Sequence, residues 1–288
     1  MGSTITRTRS HRSHTRRNAS CIRSCASWSL PVTTYGWPAL SPAPSPHHER
    51  PRAACCLGPT RLILIGMADP LEALAEECEE VSKIVLDLPE EDFARPTRCT
   101  AWNVKELLGH VYRDVDRINT ALSTPPPPKA THDSITYWTS YDPITDGRDI
   151  ADRAKELAGQ YGTGPELGEA FDEMWRRAID AARTADRSRL VVTWGPVLTL
   201  EEFLKTRVFE TTVHRMDLED ALGRKGWGTD RAVAIVDETL EGLLGQEPPS
   251  DLEWDVVDFI ETGAGRRQLT DNERKILGPL AGRFPLMG

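Results

Sequence analysis

The sequence predicts an all-α fold for residues 67–288, a bundle of four long helices followed by shorter ones. Three observations favour this fold class. Apolar residues recur at alternating spacings of three and four, the pattern of a helix with one buried face. Capping residues stand at the starts of these stretches, and few segments are rich in β-branched residues. About 220 residues suffice for one domain with a substantial core.

The first long helix has a clear start. Asp69 is a good N-cap, Pro70 suits the first helical position and Glu72 completes a capping box. The apolar stripe of this helix runs from Leu71 to Leu88. We therefore expect one face of the helix to line the core of a bundle.

The second long helix begins at Asn103, with Glu106 at the capping-box position. Its apolar stripe extends to Leu122, and four prolines at 125–128 end it. Residues 129–147 then form a long loop, and loops of this length are often functional lids or walls. The aromatic residues of this loop are Tyr137, Trp138 and Tyr141.

The later elements follow from the same signals. In chain order we expect a shorter helix at 149–161, a third long helix ending near residue 185 and a short extended link at 190–195. Thr199 and Glu202 form a capping box that opens the fourth long helix, and Gly223 fits its C-terminal cap. Two or three shorter helices are expected after it, around 230–245, 252–262 and 271–281.

Residues 1–66 differ in composition from the rest of the chain. They hold nine arginines and a single acid, Glu49, whereas residues 67–288 hold 26 basic and 43 acidic residues. We expect this Ser-, Arg- and Pro-rich segment to be disordered. Alternatively it is upstream sequence read through, and Met67, just before the first helix, is the biological start. Its apolar run is too short for a secretory signal or a membrane span.

Charge and cysteine usage restrict the function of residues 67–288. Their negative charge repels phosphate backbones, so no nucleic-acid partner is expected. Only Cys78 and Cys99 lie in this part, which is no disulfide framework and favours a reducing cytoplasm. We expect a cytoplasmic monomer or homodimer without membrane contact.

The fourth long helix carries an interruption in its apolar face. On a helical wheel, one sector holds apolar residues at both ends of the helix and polar residues for about two turns between them. The polar residues are Arg207, Glu210, Thr211 and His214. Burying unpaired charge costs several kcal/mol, so these groups require partners.

Two interpretations of this interruption are open. The first is a buried ion pair between Arg207 and Glu210 with a hydrogen-bonded core His214, since residues at this spacing are helix neighbours. The second is a metal, because Glu210 and His214 lie one turn apart and their side chains can converge on one ion. A metal needs a further ligand. His110 can face the bundle centre from the second helix, whereas His132 is a loop residue without an assigned role.

The motif WNVKELLGH at 102–110, followed by ETTVHRMDLEDALG at 210–223, resembles the DinB-like superfamily. More closely, it resembles the N-terminal metal-binding domain of mycothiol-dependent maleylpyruvate isomerases. The resemblance covers roughly residues 68–223 and implies a DinB-like four-helix bundle, with 224–288 as a helical extension. It implies that a divalent metal, usually zinc, is bound by His110, Glu210 and His214.

Asp217 also matches a position of this family. A carboxylate there would orient a metal-binding histidine through its other ring nitrogen. The alternative is that Asp217 balances Arg215 or Arg207. Substrate contacts are expected from Trp138 and Tyr141 of the long loop, from Arg207, and from Arg176 or Arg177 on the third long helix. Each of these is equally compatible with an ordinary packing or surface role.

The resemblance implies a thiol-dependent enzyme. Mycothiol, a low-molecular-weight thiol, would bind the metal as a thiolate and attack a small electrophile, as an isomerase or an S-transferase. We expect no cysteine of residues 67–288 near the motifs, so the thiol comes from outside. Only 65 residues follow Gly223 in place of the family's further domain, so maleylpyruvate itself is not expected as the substrate.

Two other function classes stay open. A metal with three protein ligands keeps an open position, which suits a hydrolase that uses metal-bound water. The third class is a non-catalytic metal-binding helical protein. Metal analysis and a thiol-conjugation assay separate the three.

Overall fold

The computed structural model describes residues 68–140, 145–224 and 226–287. The predicted tail and Tyr141 lie outside these ranges. In the described residues the chain forms eight α-helices and one two-stranded sheet, which confirms the all-α class. The helices are α1 (Pro70–Leu86), α2 (Val104–Ser123), α3 (Thr145–Gly159), α4 (Gly164–Thr184), α5 (Leu200–Ala221), α6 (Asp230–Leu244), α7 (Val256–Gly263) and α8 (Asp271–Leu277). The strands are β1 (Leu190–Val192) and β2 (Val197–Thr199).

The four long helices form the expected bundle. α1 and α2 each pack against both α4 and α5, so the four apolar stripes meet in one core. Leu74, Leu108, Phe171 and Leu204 are fully buried at its centre, one from each helix. Burial of a side chain of this kind contributes about 1.5–3 kcal/mol, which makes the core the main source of stability.

Capping residues fix where two of these helices begin. Asn103 and Glu106 form the expected capping box of α2, each accepting a hydrogen bond from the other's backbone N–H. Asp69 caps α1 through the N–H of Leu71. Glu72 does not complete a box there, because its carboxylate pairs with Arg183 of α4 at 3.2 Å. The N-cap residue therefore determines where α1 begins, whereas a contact with α4 determines the partner of Glu72.

The segment between α4 and α5 differs from the expected extended link. Residues 190–192 pair antiparallel with residues 197–199, and Leu190 lies opposite Thr199. Each strand has only three residues, too few for a recognisable alternation, and pairing across the turn stabilises them. α3 also begins at Thr145, within the expected loop.

α5 is covered on two sides, which explains why polar and apolar residues alike are buried along it. Its bundle side faces α1 and α2, and α6 packs against the other side. A second apolar cluster there joins Phe209 and Val213 of α5 to Val236 and Leu240 of α6 and to Phe259 of α7. In the described ranges, no helix has both the length and the apolar content to cross a membrane.

Gly109 allows α3 to pack closely against α2. A Cβ at this position would lie 2.7 Å from the backbone oxygen of Ala154 and 3.3 Å from the Cβ of Ala158. We expect Gly109→Ala to destabilise the fold by about 1–3 kcal/mol, because overpacking forces the helices apart. The measurement is the free energy of unfolding in denaturant. Gly159→Ala is the control, since a Cβ there meets no atom within 4 Å. Equal stability of the two variants would contradict the close approach.

Candidate metal centre

The structure brings the three predicted ligands together. His110 projects from α2, and Glu210 and His214 project from α5, one turn apart. His110 Nε2 lies 3.3 Å from Glu210 Oε2, and His214 Nε2 lies 3.2 Å from the same oxygen. One ligand atom from each residue lies within 4.8 Å of the others. The two helices thus present two imidazoles and a carboxylate to one point.

Aromatic packing holds the two imidazole rings. Trp102, just before α2, stacks on His110 with 4.7 Å between ring centroids and meets His214 edge-on at 6.0 Å. The two histidine rings are nearly perpendicular, at 86°. The indole covers one side of the cluster and limits the access of water from that side.

Asp217 fixes the orientation of His214. Its Oδ2 accepts a hydrogen bond from His214 Nδ1 at 2.9 Å, which leaves Nε2 facing Glu210. Asp217 is fully buried and also accepts from Arg98 Nε at 2.6 Å and from Arg266 Nη2 at 2.8 Å. Asp217 therefore balances these two arginines, whereas Arg215 pairs with Glu77 of α1.

Cys99 corrects the expectation that no cysteine lies near the motifs. Its Sγ donates to Asp217 Oδ2 at 3.1 Å and lies 3.9 Å from His214 Nδ1. The loop that carries it is folded back by Thr97, whose hydroxyl donates to the carbonyl oxygens of Cys99 and Trp102. This fold depends on tertiary contacts, and sequence spacing gives no sign of it.

Two groups of side chains share His214. Cys99 and Asp217 lie on its Nδ1 side, and His110 and Glu210 lie on its Nε2 side. The Asp217 carboxylate already accepts from two positively charged guanidinium groups, which disfavour a cation beside it. Two imidazoles and a carboxylate are a donor set that suits zinc, and three ligands leave an open coordination position. The Nε2 side is therefore the better candidate for the metal.

The pKa values of the three residues describe the protein without metal. Burial raises the pKa of Glu210, but its hydrogen bonds with both histidines outweigh burial and hold the pKa well below its usual range. Burial lowers the pKa of His110. Burial also lowers the pKa of His214, but hydrogen bonds with Asp217, Cys99 and Glu210 outweigh it and raise the pKa well above its usual value. In the protein without metal, these directions favour an ionised Glu210, a neutral His110 and a protonated His214.

Zinc binding at pH 7 is expected to release about one proton, because the His214 imidazole must lose its proton to become a ligand. Since the pKa of His214 is raised, the release declines as pH rises through that pKa. Calorimetric titration of zinc in two buffers with different ionisation enthalpies measures it. Asp217→Asn removes a bond that raises the pKa, so this variant should release fewer protons at pH 7. Equal release by both proteins would contradict the assignment.

The three candidate ligands line a cavity of about 320 Å³. Trp138 lies in its wall, as the sequence suggested, together with Tyr137 and Trp194. Arg266, which follows α7, and Met287, near the C-terminus, also line the cavity. The cavity therefore combines aromatic surface with charged groups, as small-molecule sites do.

The structure does not bring the other predicted substrate residues into this cavity. Arg207 is 1% exposed and forms an ion pair with Asp114 of α2, so the anticipated pair with Glu210 is replaced by one between helices. Arg176 is exposed on α4 and pairs with Asp172 at 2.9 Å. Arg177 is likewise exposed, and Tyr141 lies outside the described residues.

Several cavity residues escaped the sequence analysis. Arg113, Asp114 and Arg117 lie three, four and seven residues after His110, so the helical spacing from this histidine was a usable signal. Cys99 and Arg266 lie outside the bundle helices, and no local periodicity points to them.

Comparison with known proteins gives one family match. The family model of the mycothiol maleylpyruvate isomerase N-terminal domain matches residues 74–219. The match includes all three candidate ligands and Asp217 and ends before α6. Neither the curated proteins nor the solved structures give a significant match. Because the family model covers half of the sequence, the chain belongs to the mycothiol maleylpyruvate isomerase N-terminal domain family.

Proposed function

We propose that this protein is a cytoplasmic, zinc-dependent enzyme that uses mycothiol to isomerise or S-conjugate a small electrophilic substrate. The observation that supports the proposal most is the convergence of His110, Glu210 and His214 at the edge of a cavity. The family to which the chain belongs supports the choice of thiol. The metal, when bound, would lower the pKa of that thiol and favour its thiolate.

Four side chains around the candidate metal position would each have a separate role in this chemistry. Asp217 keeps the Nε2 atom of His214 free for the metal by holding Nδ1. Glu210 brings the negative charge that a divalent cation requires. Trp102 covers one side of the cluster, and the aromatic wall with Trp138 offers apolar surface to the ligand. Together these groups would hold the thiol and exclude water from one side of it.

Cys99 does not replace the external thiol in this proposal. Its Sγ lies on the Nδ1 side of His214 and donates to Asp217, so it faces away from the candidate metal position. Burial raises the pKa of Cys78 well above its usual value, which makes this second thiol unreactive. In the described ranges these are the two cysteines, so the reacting sulfur is assigned to a cosubstrate.

The test is a conjugation assay with zinc-loaded protein, mycothiol and a bimane electrophile. We expect conjugation well above the uncatalysed rate, with mycothiol preferred over glutathione, and loss of this excess in His110→Ala. Hydrolysis of an activated ester without any thiol dependence would instead indicate a hydrolase. Stoichiometric zinc with neither activity would indicate a non-catalytic metal protein. Either of these results would overturn the proposal.

A further inference from the structure

We propose that Arg113 and Arg117 of α2 and Arg153 of α3 form an anion-binding site in the cavity beside the candidate metal centre. The site would take a small molecule with at least two negative charges, such as a phosphate group or a pair of carboxylates. The inference that this site binds the enzyme's substrate rests on the proposed function. The inference that it binds an anion depends only on the residues that line the cavity.

The three arginines all line the cavity. Arg113 and Arg117 follow His110 by three and seven residues on α2, so they share its face of the helix. At about 1.5 Å per residue they stand roughly 5 and 10 Å along the helix axis from His110. The close packing at Gly109 brings α3, and with it Arg153, to the same cavity. One small molecule could therefore place an anionic group at these arginines and still reach the metal centre.

These arginines have no carboxylate partner among the described residues. No ion pair joins Arg113, Arg117 or Arg153 to an acid in that part of the chain, and Arg153 donates to the backbone oxygen of Asp149 in its own helix. All three are only half-buried. Every other buried or half-buried arginine in the described ranges lies within ion-pair distance of a carboxylate or donates to a carbonyl oxygen of another element. The arginines of this cavity are the exception.

The three charges also oppose one another. Burial lowers the pKa of Arg113, and the neighbouring charges of Arg153 and Arg117 lower it further. Glu156 and Asp116 act on Arg113 in the opposite sense, but neither lies within ion-pair distance, and Asp116 accepts from Asn119. A bound anion would relieve this repulsion in a partly desolvated place, where charge interactions are stronger than in water.

The remaining charges of the cavity are already neutralised. Asp114 pairs with Arg207 beneath the surface, Glu210 meets the two histidines, and Arg266 is held by Asp217. The free charge in the lining is therefore positive, although the chain as a whole carries −9. Arginine binds carboxylate and phosphate oxygens through paired N–H groups, which makes three such groups suited to a multiply charged anion.

Calorimetric titration of the full chain tests the site. Metal is first removed with a chelator, so that an anion cannot bind to zinc. The probes are inorganic phosphate, succinate and acetate. We expect at least one of the two doubly charged probes to bind about tenfold more tightly than acetate, with affinity falling as salt is added. Tighter binding of phosphate would indicate a ligand with a phosphate group, and tighter binding of succinate would indicate a dicarboxylate.

The double variant Arg113→Gln/Arg117→Gln is expected to weaken that binding at least tenfold, and Arg153→Gln alone should weaken it in the same sense. Arg274→Gln/Lys275→Gln, which removes two exposed charges on α8, is the matched control and should leave affinity unchanged. Equal affinity in the Arg113/Arg117 variant and the control would overturn the proposal. So would a wild-type protein that does not distinguish doubly charged probes from acetate.

Zinc content separates this proposal from the proposed function. The arginine variants should retain stoichiometric zinc, because none of the three belongs to the candidate ligand group. Zinc binding without preference for doubly charged anions would overturn the anion site alone. Anion binding by a protein that takes up no zinc would leave the anion site standing and overturn the metal-dependent enzyme.

Discussion

Replacing His214 with alanine is expected to weaken zinc binding about a hundredfold and to remove most of the thiol conjugation. The variant removes one of the three candidate ligands and leaves Glu210 with only His110. Structural zinc sites are worth about 10–16 kcal/mol over four ligands, so one ligand corresponds to roughly 3 kcal/mol, or a hundredfold in affinity. Competition with a chromophoric chelator measures this affinity, and elemental analysis of the purified protein measures the zinc content.

His132→Ala is the matched control for this variant. This variant also replaces a histidine with alanine, but the ring of His132 contacts Thr131 in the loop between α2 and α3 and is not part of the cluster. Asp217→Asn gives an intermediate case, since loss of the partner of a metal-binding histidine weakens metal affinity about 10–100-fold. Equal zinc affinity of His214→Ala and His132→Ala would contradict the candidate site. Near-ultraviolet circular dichroism shows whether each variant keeps its tertiary packing.

Breaking the buried ion pair between Arg207 and Asp114 is expected to give the largest loss of stability. Both side chains are at most 8% exposed, and removal of one partner leaves the other charge buried without compensation. Arg207 also donates to Tyr137 and Thr206 at 3.2 Å, and burial lowers its pKa to about 10, so it is charged at neutral pH. We expect Arg207→Ala to cost about 3–5 kcal/mol of unfolding free energy.

Two controls make this prediction specific. Arg176→Ala removes an arginine from an exposed pair with Asp172 and should cost at most about 1 kcal/mol. The double variant Arg207→Met/Asp114→Leu replaces both charges with apolar side chains and should recover most of the loss, since a buried pair and its apolar replacement are often similar in stability. Denaturant unfolding measures all three. A cost for Arg207→Ala no greater than that for Arg176→Ala would contradict the buried pair.

The case of Arg207 shows why sequence analysis finds a buried face more easily than a partner. The wheel of the fourth long helix placed Arg207, Glu210 and His214 on one face, and the structure buries that face against α2. Spacing along one helix reveals only local neighbours, which favoured a pair with Glu210. The actual partner, Asp114, belongs to another helix, and no pattern within one helix can identify it.

The surroundings of Asp217 show a second limit. Arg98 and Cys99 reach it from the loop before α2, and Arg266 reaches it from the segment after α7. Such segments have no period, so their side chains cannot be placed until the chain is folded. Arg113 and Arg117 are the opposite case, because their spacing from His110 was visible in the sequence.

The most direct test of the metal centre is zinc anomalous diffraction from crystals of the full chain. We expect one strong peak about 2 Å from His110 Nε2, from one carboxylate oxygen of Glu210 and from His214 Nε2. A peak between Cys99 and Asp217 on the Nδ1 side of His214, or no peak near His214 in zinc-soaked crystals, would contradict it.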